Sequence, residues 1–454
     1  MKSPAELRAS EAEFTSQGDT AGKRNNKIVV SKSNGVFLKT DDGRELLDMQ
    51  MFNSSANFGY GSPTHHDAVV NQLEDLPGIG SEYQSAARIE LAAEIALSVQ
   101  DRFGKKGRVH FSVSGAQAVE DALKVVAVAT GSRSVFAFEG SYHGRTLAAA
   151  SVSSSYRYRH KFGGDHRASF VPFPYCYRCP YGKSLSECGY YCVSQFERLF
   201  ESEFAGIRDP SGALEYTAFL AEPVLGRGGY IAPPPEYFPR LKEVLSKYGV
   251  LLICDDIQMG IYRTGKLWSL ENFKVEPDIL LFGKALTNGL FPVSGLWARE
   301  PLLDPSVWTP SSAHATFAGH PVGMAAGLAT FSIMRSTDFE QMAERVGGLI
   351  EDGLRRIANN EPSIGRVDRL GLAISVEFCH PASRRPWGER ASAVKEAALQ
   401  ADSCPDTLST PLGLLLTVGG YHDNIITLSP AVTMTEHEVH LFLDLFEKYL
   451  KAVQ

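Results

Sequence analysis

No apolar run in the 454-residue chain approaches the roughly 20 residues a helix needs to cross a bilayer, so no membrane partner is expected. No block of Lys or Arg interrupts the sequence either. Its formal net charge of -7 argues against DNA or RNA, because a phosphate backbone is held by clustered cations. Residues 1–22 are polar and mixed in charge, without the apolar core of a secretion signal, and a cytoplasmic location is the expectation. Cysteine is sparse. Seven is an odd number, which suits a reducing compartment better than a disulfide framework. Internal repeats and low-complexity tracts are absent as well.

What is present is an ordinary globular composition, 44% hydrophobic and 21% charged. A chain about three times the usual domain length predicts one large domain with a smaller companion. Through the middle, short apolar runs rich in β-branched residues alternate with helical periodicity. That is the pattern of an α/β fold with a mostly parallel sheet flanked by helices. Residues 109–112 read as a strand that passes through Ser114, Gly115 and Ala116 into a helix. Ala118, Ala122 and Val125 or Val126 share one face of that helix, and Gly131 is placed to end it. Residues 135–138, Tyr216–Ala221, 250–254 and Ile279–Phe282 read as further strands.

After about Arg335 the character changes. A long amphipathic helix is predicted over Phe339–Ala358, strands over 370–378 and Ile425–Leu428, and a capping box at Thr435 and Glu438 opens a last helix. Residues 1–61 and the α+β tail 335–454 are expected to form the smaller domain. Residues 62–334 are expected to form the larger one, with a cysteine-rich insertion at 173–193.

Polar residues follow each central strand: Ser114, then Tyr142, His143 and Arg145, then Glu222, Asp255 and Lys284. Ligands of open parallel sheets sit beyond the carboxyl ends of the strands, so these residues are expected to share one pocket. Taken singly, each reads equally as a loop or capping residue, Tyr142 as core and Lys284 as a solvated side chain. Their joint occurrence is what points to a site.

The order of motifs is more specific. Ser114-Gly115-Ala116-Gln117-Ala118-Val119-Glu120 is followed by Tyr142-His143-Gly144-Arg145-Thr146 and Glu222-Pro223-Val224. Then come Asp255-Asp256-Ile257-Gln258-Met259-Gly260, Arg263-Thr264-Gly265, Pro277-Asp278, Gly283-Lys284-Ala285-Leu286 and Thr316-Phe317. From about Gly35 onward the chain resembles the class III aminotransferases of the 4-aminobutyrate and ornithine type, which are pyridoxal 5'-phosphate (PLP) enzymes of fold type I.

The resemblance implies PLP as cofactor, a small-molecule amino donor and an oxo-acid acceptor, and a homodimer with shared active sites. Amino transfer needs an electron sink that no side chain supplies; PLP is one when its pyridine nitrogen stays protonated. By motif, Lys284 would form the Schiff base and later shuttle the proton, and Asp255 would pair with the pyridinium. Ser114, Gly115 and Ala116 would hold the phosphate at a helix N-terminus, and Thr316 would reach the phosphate of the partner subunit. Tyr142 would stack on the cofactor ring with His143 beside it, Gln258 would stand near the phenolic oxygen, and Glu222 would gate the substrate pocket. Arg145 and Phe52 are expected at the substrate, the arginine for its bidentate fork.

Two features depart from the family pattern. In Asn424-Ile425-Ile426-Thr427-Leu428, Thr427 stands where many relatives carry an arginine for an α-carboxylate, and a hydroxyl cannot replace that charge. A monocarboxylic acceptor such as pyruvate is therefore expected to serve at least as well as 2-oxoglutarate. The same departure leaves a PLP-dependent racemase or lyase as the alternative activity. The second departure is Cys176, Cys179, Cys188 and Cys192, whose spacing is that of a zinc or iron–sulfur ligand set. We expect free thiols bracing a loop and no bound metal. A cysteine-cluster metal protein with a vestigial PLP site is the remaining reading.

Overall fold

A computed structural model describes residues 3–16, 18, 28–159, 168–400 and 412–453. The central sheet has seven strands. Its spatial order is Gly107–Ser112, Ser294–Arg299, Ile279–Phe282, Leu251–Asp255, Tyr216–Ala221, Ser134–Phe138 and Ala168–Val171. Only Ser294–Arg299 runs against its neighbours; the other pairings are parallel. The sheet is mostly parallel, as expected, and the architecture is the α/β arrangement of PLP fold type I.

The central strands are buried from end to end, which is why they read as unbroken apolar runs. On one face Val119, Ala122, Leu123 and Val126 of helix Gly115–Thr130 pack against Leu220, Ile253, Leu281 and Leu296. On the other, Phe196, Phe238 and Leu241 meet Phe138, Phe219 and Leu252. Each such side chain removed from water contributes about 1.5–3 kcal/mol before the entropy of ordering is subtracted. Gly131 ends the helix in the left-handed region at φ +75°, the conformation glycine adopts without strain.

Residues Leu412–Leu415 join Val30–Asn34, Phe37–Thr40 and Glu45–Asp48 in a second sheet, so chain from both ends of the sequence meets there. A third sheet contains Ile364–Leu370, Ala373–Phe378, Ile425–Leu428 and Thr417–Gly419. One expectation is corrected here. Residues 370–378 are not a single strand: Gly371 turns the chain at φ +57°, and Ile364–Leu370 pairs back on Ala373–Phe378. A Cβ at Gly371 would lie 2.2 Å from the backbone at Thr264 and Gly265, so the tight turn also permits a close approach.

Helix Phe339–Ala358 and the capping box of Thr435 with Glu438 occur as read from sequence. The motif arginine Arg263 is wholly buried. Its guanidinium donates to the carbonyl of Pro430 at 2.6 Å, to that of Leu372 at 3.3 Å and to Asn57 Oδ1 at 2.5 Å. It thereby ties three distant stretches of chain together at one point.

Candidate active site

At the carboxyl edge of the central sheet lies a cavity of about 530 Å³. It is lined by Gly115, Ala116, Tyr142, His143, Gly144, Arg145, Thr146, Glu222, Asp255, Ile257, Gln258 and Lys284. Four separate strand ends thus deliver polar residues to one place, and the fifth contributes Gly115 and Ala116, while the expected Ser114 does not line the cavity.

Ser114 caps the helix that opens the cavity, its hydroxyl accepting from the Gln117 N–H at 3.2 Å. The hydroxyl is spent on the cap, while Gly115 and Ala116 line the cavity at the helix N-terminus. A Cβ on Gly115 would stand 3.2 Å from Ile257, and one on Gly144 would stand 2.6 Å from Ala116. Both glycines therefore serve close packing around the opening of this helix.

Asp255 is the last residue of its strand, one position further inside the element than expected, and is 5% exposed. His143 Nδ1 donates to its Oδ2 at 2.6 Å, and the Ile257 N–H reaches Oδ1 at 3.3 Å. Two donors in so dry a setting fix the orientation of the carboxyl group. The neighbouring Asp256 is tied to a different element. It accepts from the Ser269 N–H at 2.8 Å and from the Ser269 hydroxyl, and burial raises its carboxyl to about 7.

Lys284 is partly buried, and loss of solvent lowers its amine to about 8 against the opposing pull of Asp255 and Glu222. Its backbone sits at φ +41°, a left-handed conformation that costs a residue with a Cβ roughly 1 kcal/mol or more. Glu222 accepts from the Tyr142 N–H at 2.9 Å and the Gly226 N–H at 3.0 Å. Burial, reinforced by Asp255, nevertheless raises its carboxyl to about 7. The amine of Lys284 and the carboxyl of Glu222 are thus both tuned toward neutrality in one pocket, the environment in which proton transfer is cheapest.

Tyr142 meets Tyr158 edge-on at 5.2 Å, and Arg145 stacks over the Tyr158 ring with its Cζ 5.0 Å from the centroid. Gln258 Nε2 donates to Tyr230 Oη at 3.1 Å. Tyr158 and Tyr230 are parts of the site that sequence reasoning missed, since no motif spacing marks either. Two expected residues stand apart from the cavity of this chain. Thr316 is exposed on a loop, and Phe52, 56% exposed at φ +54°, packs beside Gly289. Thr427 is buried on its strand with its hydroxyl 3.5 Å from the Thr417 carbonyl.

The four clustered cysteines line a separate cavity of about 20 Å³ with Tyr181 and Tyr191, and all four are free thiols. Among the described residues no three of His, Cys, Asp and Glu are grouped to hold a metal ion.

The main cavity fits PLP. A lysine amine, a donor-supported carboxyl group and a helix N-terminus line the same cavity. His143 Nε2 is buried without a partner in this chain, the kind of polar atom that a bound group or water completes. Fold and site together define a PLP-dependent enzyme of fold type I. The chain belongs to the class III aminotransferase family, whose profile matches residues 20–450, and it is a PLP-dependent aminotransferase.

A probable 4-aminobutyrate aminotransferase of Bacillus subtilis is 30% identical over 97% of this chain and 96% of its own. An alanine/serine racemase of Pyrococcus horikoshii is also 30% identical, over 93% and 86%. A reconstructed ancestral transaminase superposes with a TM-score of 0.88 at 25% identity, covering 99% of both chains. A Bacillus anthracis aminotransferase gives 0.87 at 22%, covering the whole of both.

Proposed function

We propose that the enzyme moves the amino group of an amino acid or amine to an oxo acid, with Lys284 as the residue that carries PLP and then moves the proton. The observation that carries this reading is the placement of Lys284, its amine lowered to about 8 by loss of solvent, in one cavity with Asp255 and Glu222. PLP, when bound, supplies the electron sink for charge that develops at the donor's Cα. Asp255, held by His143, would keep the pyridine nitrogen protonated. Gly115 and Ala116 would offer backbone N–H groups to the phosphate at the end of a helix that Ser114 caps. Tyr142 would hold the ring, and Gln258 would stand near the phenolic oxygen.

With PLP bound, Lys284 would be the residue that takes up and returns the donor's Cα proton. Because loss of solvent lowers its amine to about 8, a larger fraction of it is neutral in the physiological range than for a solvated lysine. Glu222, which holds a proton near neutrality, can neutralise or release a cation at the substrate pocket. Arg145, anchored on Tyr158 at the cavity wall, suits a substrate carboxylate. Phe52, outside this chain's own cavity, exposes an apolar surface beside Gly289 on the loop that follows Lys284.

The working form in this reading is a homodimer, supported by the exposure of Thr316 away from its own chain's cavity. Residues 62–334 hold the cofactor, and residues 1–61 and 335–454 form the smaller domain. A reducing, cytoplasmic setting accords with the free cysteines.

Racemisation is the second reading, favoured by the uncharged Thr427 and by the likeness to the archaeal racemase. The deciding experiment incubates holoenzyme with single enantiomers of amino acids in D₂O, with and without oxo acids. Stoichiometric oxo product and aminated acceptor are expected. Loss of enantiomeric purity with Cα deuteration, and no oxo product, would replace amino transfer with racemisation.

A further inference from the structure

Four consecutive residues other than glycine, Met51, Phe52, Asn53 and Ser54, stand in the left-handed region at φ +40°, +54°, +54° and +66°. A residue with a Cβ avoids that region. Such a run persists only where its surroundings hold it, and backbone strain of this kind gathers at functional sites. Buried Asp48 holds the near end. Its Oδ1 accepts from the Gln50 N–H at 2.8 Å and the Met51 N–H at 3.0 Å, and its Oδ2 from the Tyr60 hydroxyl at 2.7 Å. What the turn delivers at its far end is one hydroxyl. Ser54 Oγ, out of reach of solvent, lies 3.2 Å from Tyr230 Oη.

Tyr230 is itself left-handed at φ +53° and buried, its ring packed among Val224, Met259 and Ala373. Its hydroxyl stands between Ser54 Oγ and the Gln258 Nε2 that donates to it at 3.1 Å. A hydroxyl that accepts from an amide still has one proton to give. A phenol is a better donor than an aliphatic alcohol, so that proton goes to Ser54. The line of donors therefore runs from Gln258 through Tyr230 to Ser54.

Gln258 lines the cofactor cavity, and its Oε1 lies against Gly226 beside Glu222. A Cβ at Gly226 would stand 2.4 Å from Gln258 Oε1 and 2.9 Å from Glu222 Oε1. Arg263 is the other charged neighbour of Tyr230, and its guanidinium is bonded to Pro430, Leu372 and Asn57. An amide keeps its shape when its oxygen and nitrogen change places, so its hydrogen-bond partners alone decide which faces where.

We propose that Tyr230 is a positioning residue of the active site. By accepting from Gln258 while donating to Ser54, it fixes which way the amide faces. The second hydrogen of Nε2, and not Oε1, is then offered to the ring oxygen of bound PLP. This role rests on the placement of Gln258 beside that oxygen, and it is independent of the choice between amino transfer and racemisation.

The test is spectroscopic and needs no turnover. The pH at which the visible absorbance of the holoenzyme is half-changed reports how readily the proton between the Lys284 nitrogen and the ring oxygen leaves. The oxygen carries more negative charge once that proton has gone, so a donor there favours the loss, and removing the donor raises the midpoint. Tyr230→Phe, which keeps the ring and removes the hydroxyl, should raise it by about one pH unit, the size of one hydrogen bond to a charged group. Ser54→Ala should raise it too, because Tyr230 then turns its proton on Gln258 Oε1 and reverses the amide. Gln258→Ala should give the full rise, and adding Tyr230→Phe to it should add nothing. A tyrosine that only packs would shift the midpoint equally in both backgrounds.

An unchanged midpoint in Tyr230→Phe at full PLP occupancy, with Gln258→Ala raised, overturns the proposal and leaves Gln258 at the ring oxygen. Equal shifts by Tyr230→Phe with and without Gln258, or a Ser54→Ala midpoint that does not move, overturn it as well. An unchanged midpoint in Gln258→Ala removes Gln258 itself from the ring oxygen, and the role of Tyr230 falls with that placement.

Discussion

Replacing Asp255 by Asn isolates the electrostatic part of the account. The two side chains have nearly the same shape, and an Asn carbonyl can still accept from His143 Nδ1 across the present 2.6 Å. What disappears is one negative charge in a setting 5% exposed to solvent, where screening is weak. A close opposite charge typically moves a pKa by about 1–3 units, and each unit is about 1.4 kcal/mol. Losing it from the pyridinium partner should therefore slow carbanion formation by about 10- to 1000-fold. The assay is a single turnover with saturating donor, followed by the cofactor's visible absorbance, after full PLP occupancy has been verified. A loss smaller than tenfold at full occupancy would refute the assignment of Asp255. Asp255→Ala is the poorer probe, since it strands a second buried nitrogen of His143 and adds about 1–3 kcal/mol of destabilisation to the reading.

Two further outcomes follow from the same geometry. If Thr316 serves the phosphate of the partner subunit, mixing Lys284→Ala with Thr316→Ala protomers should restore activity, because one site in each heterodimer is then wild type. Heterodimers that form and stay inactive would return Thr316 to its own chain or to the surface. Apoenzyme should capture PLP faster as pH rises through about 8, where Lys284 loses its proton, and level off above it. The sign follows from burial, which penalises the charged amine and so lowers its pKa from 10.5. A stopped-flow midpoint near 10.5 would mean that Lys284 is solvated in the apoenzyme.

The parallel strands were legible in the sequence because burial on both faces makes them continuous apolar runs, as in Ile279–Phe282. Ser294–Arg299 was not, although it too is almost wholly buried: its Ser-Gly start and Arg end leave only three apolar residues, too few to mark a strand. Ile364–Leu370 was missed for a different reason. Its charged Arg366, Asp368 and Arg369 lie at a half-exposed edge, and the hairpin that reveals it turns on Gly371. The catalytic constellation was legible because each member stands at a strand end inside a recognisable motif. Tyr158 and Tyr230 were not, since no motif marks them and only tertiary folding brings Tyr158 against Tyr142 and Tyr230 against Gln258. The cysteine spacing suggested a ligand set whose members fold around a cavity without forming a metal-holding group.

The central claim is that Lys284 carries the cofactor. Borohydride reduction of the holoenzyme, followed by digestion and mass spectrometry, should find the pyridoxyl group on the peptide containing Lys284 and nowhere else. In Lys284→Ala the label and the turnover should both vanish while the fold, followed by circular dichroism, persists. A label on any other lysine, or full turnover in Lys284→Ala, would contradict the account.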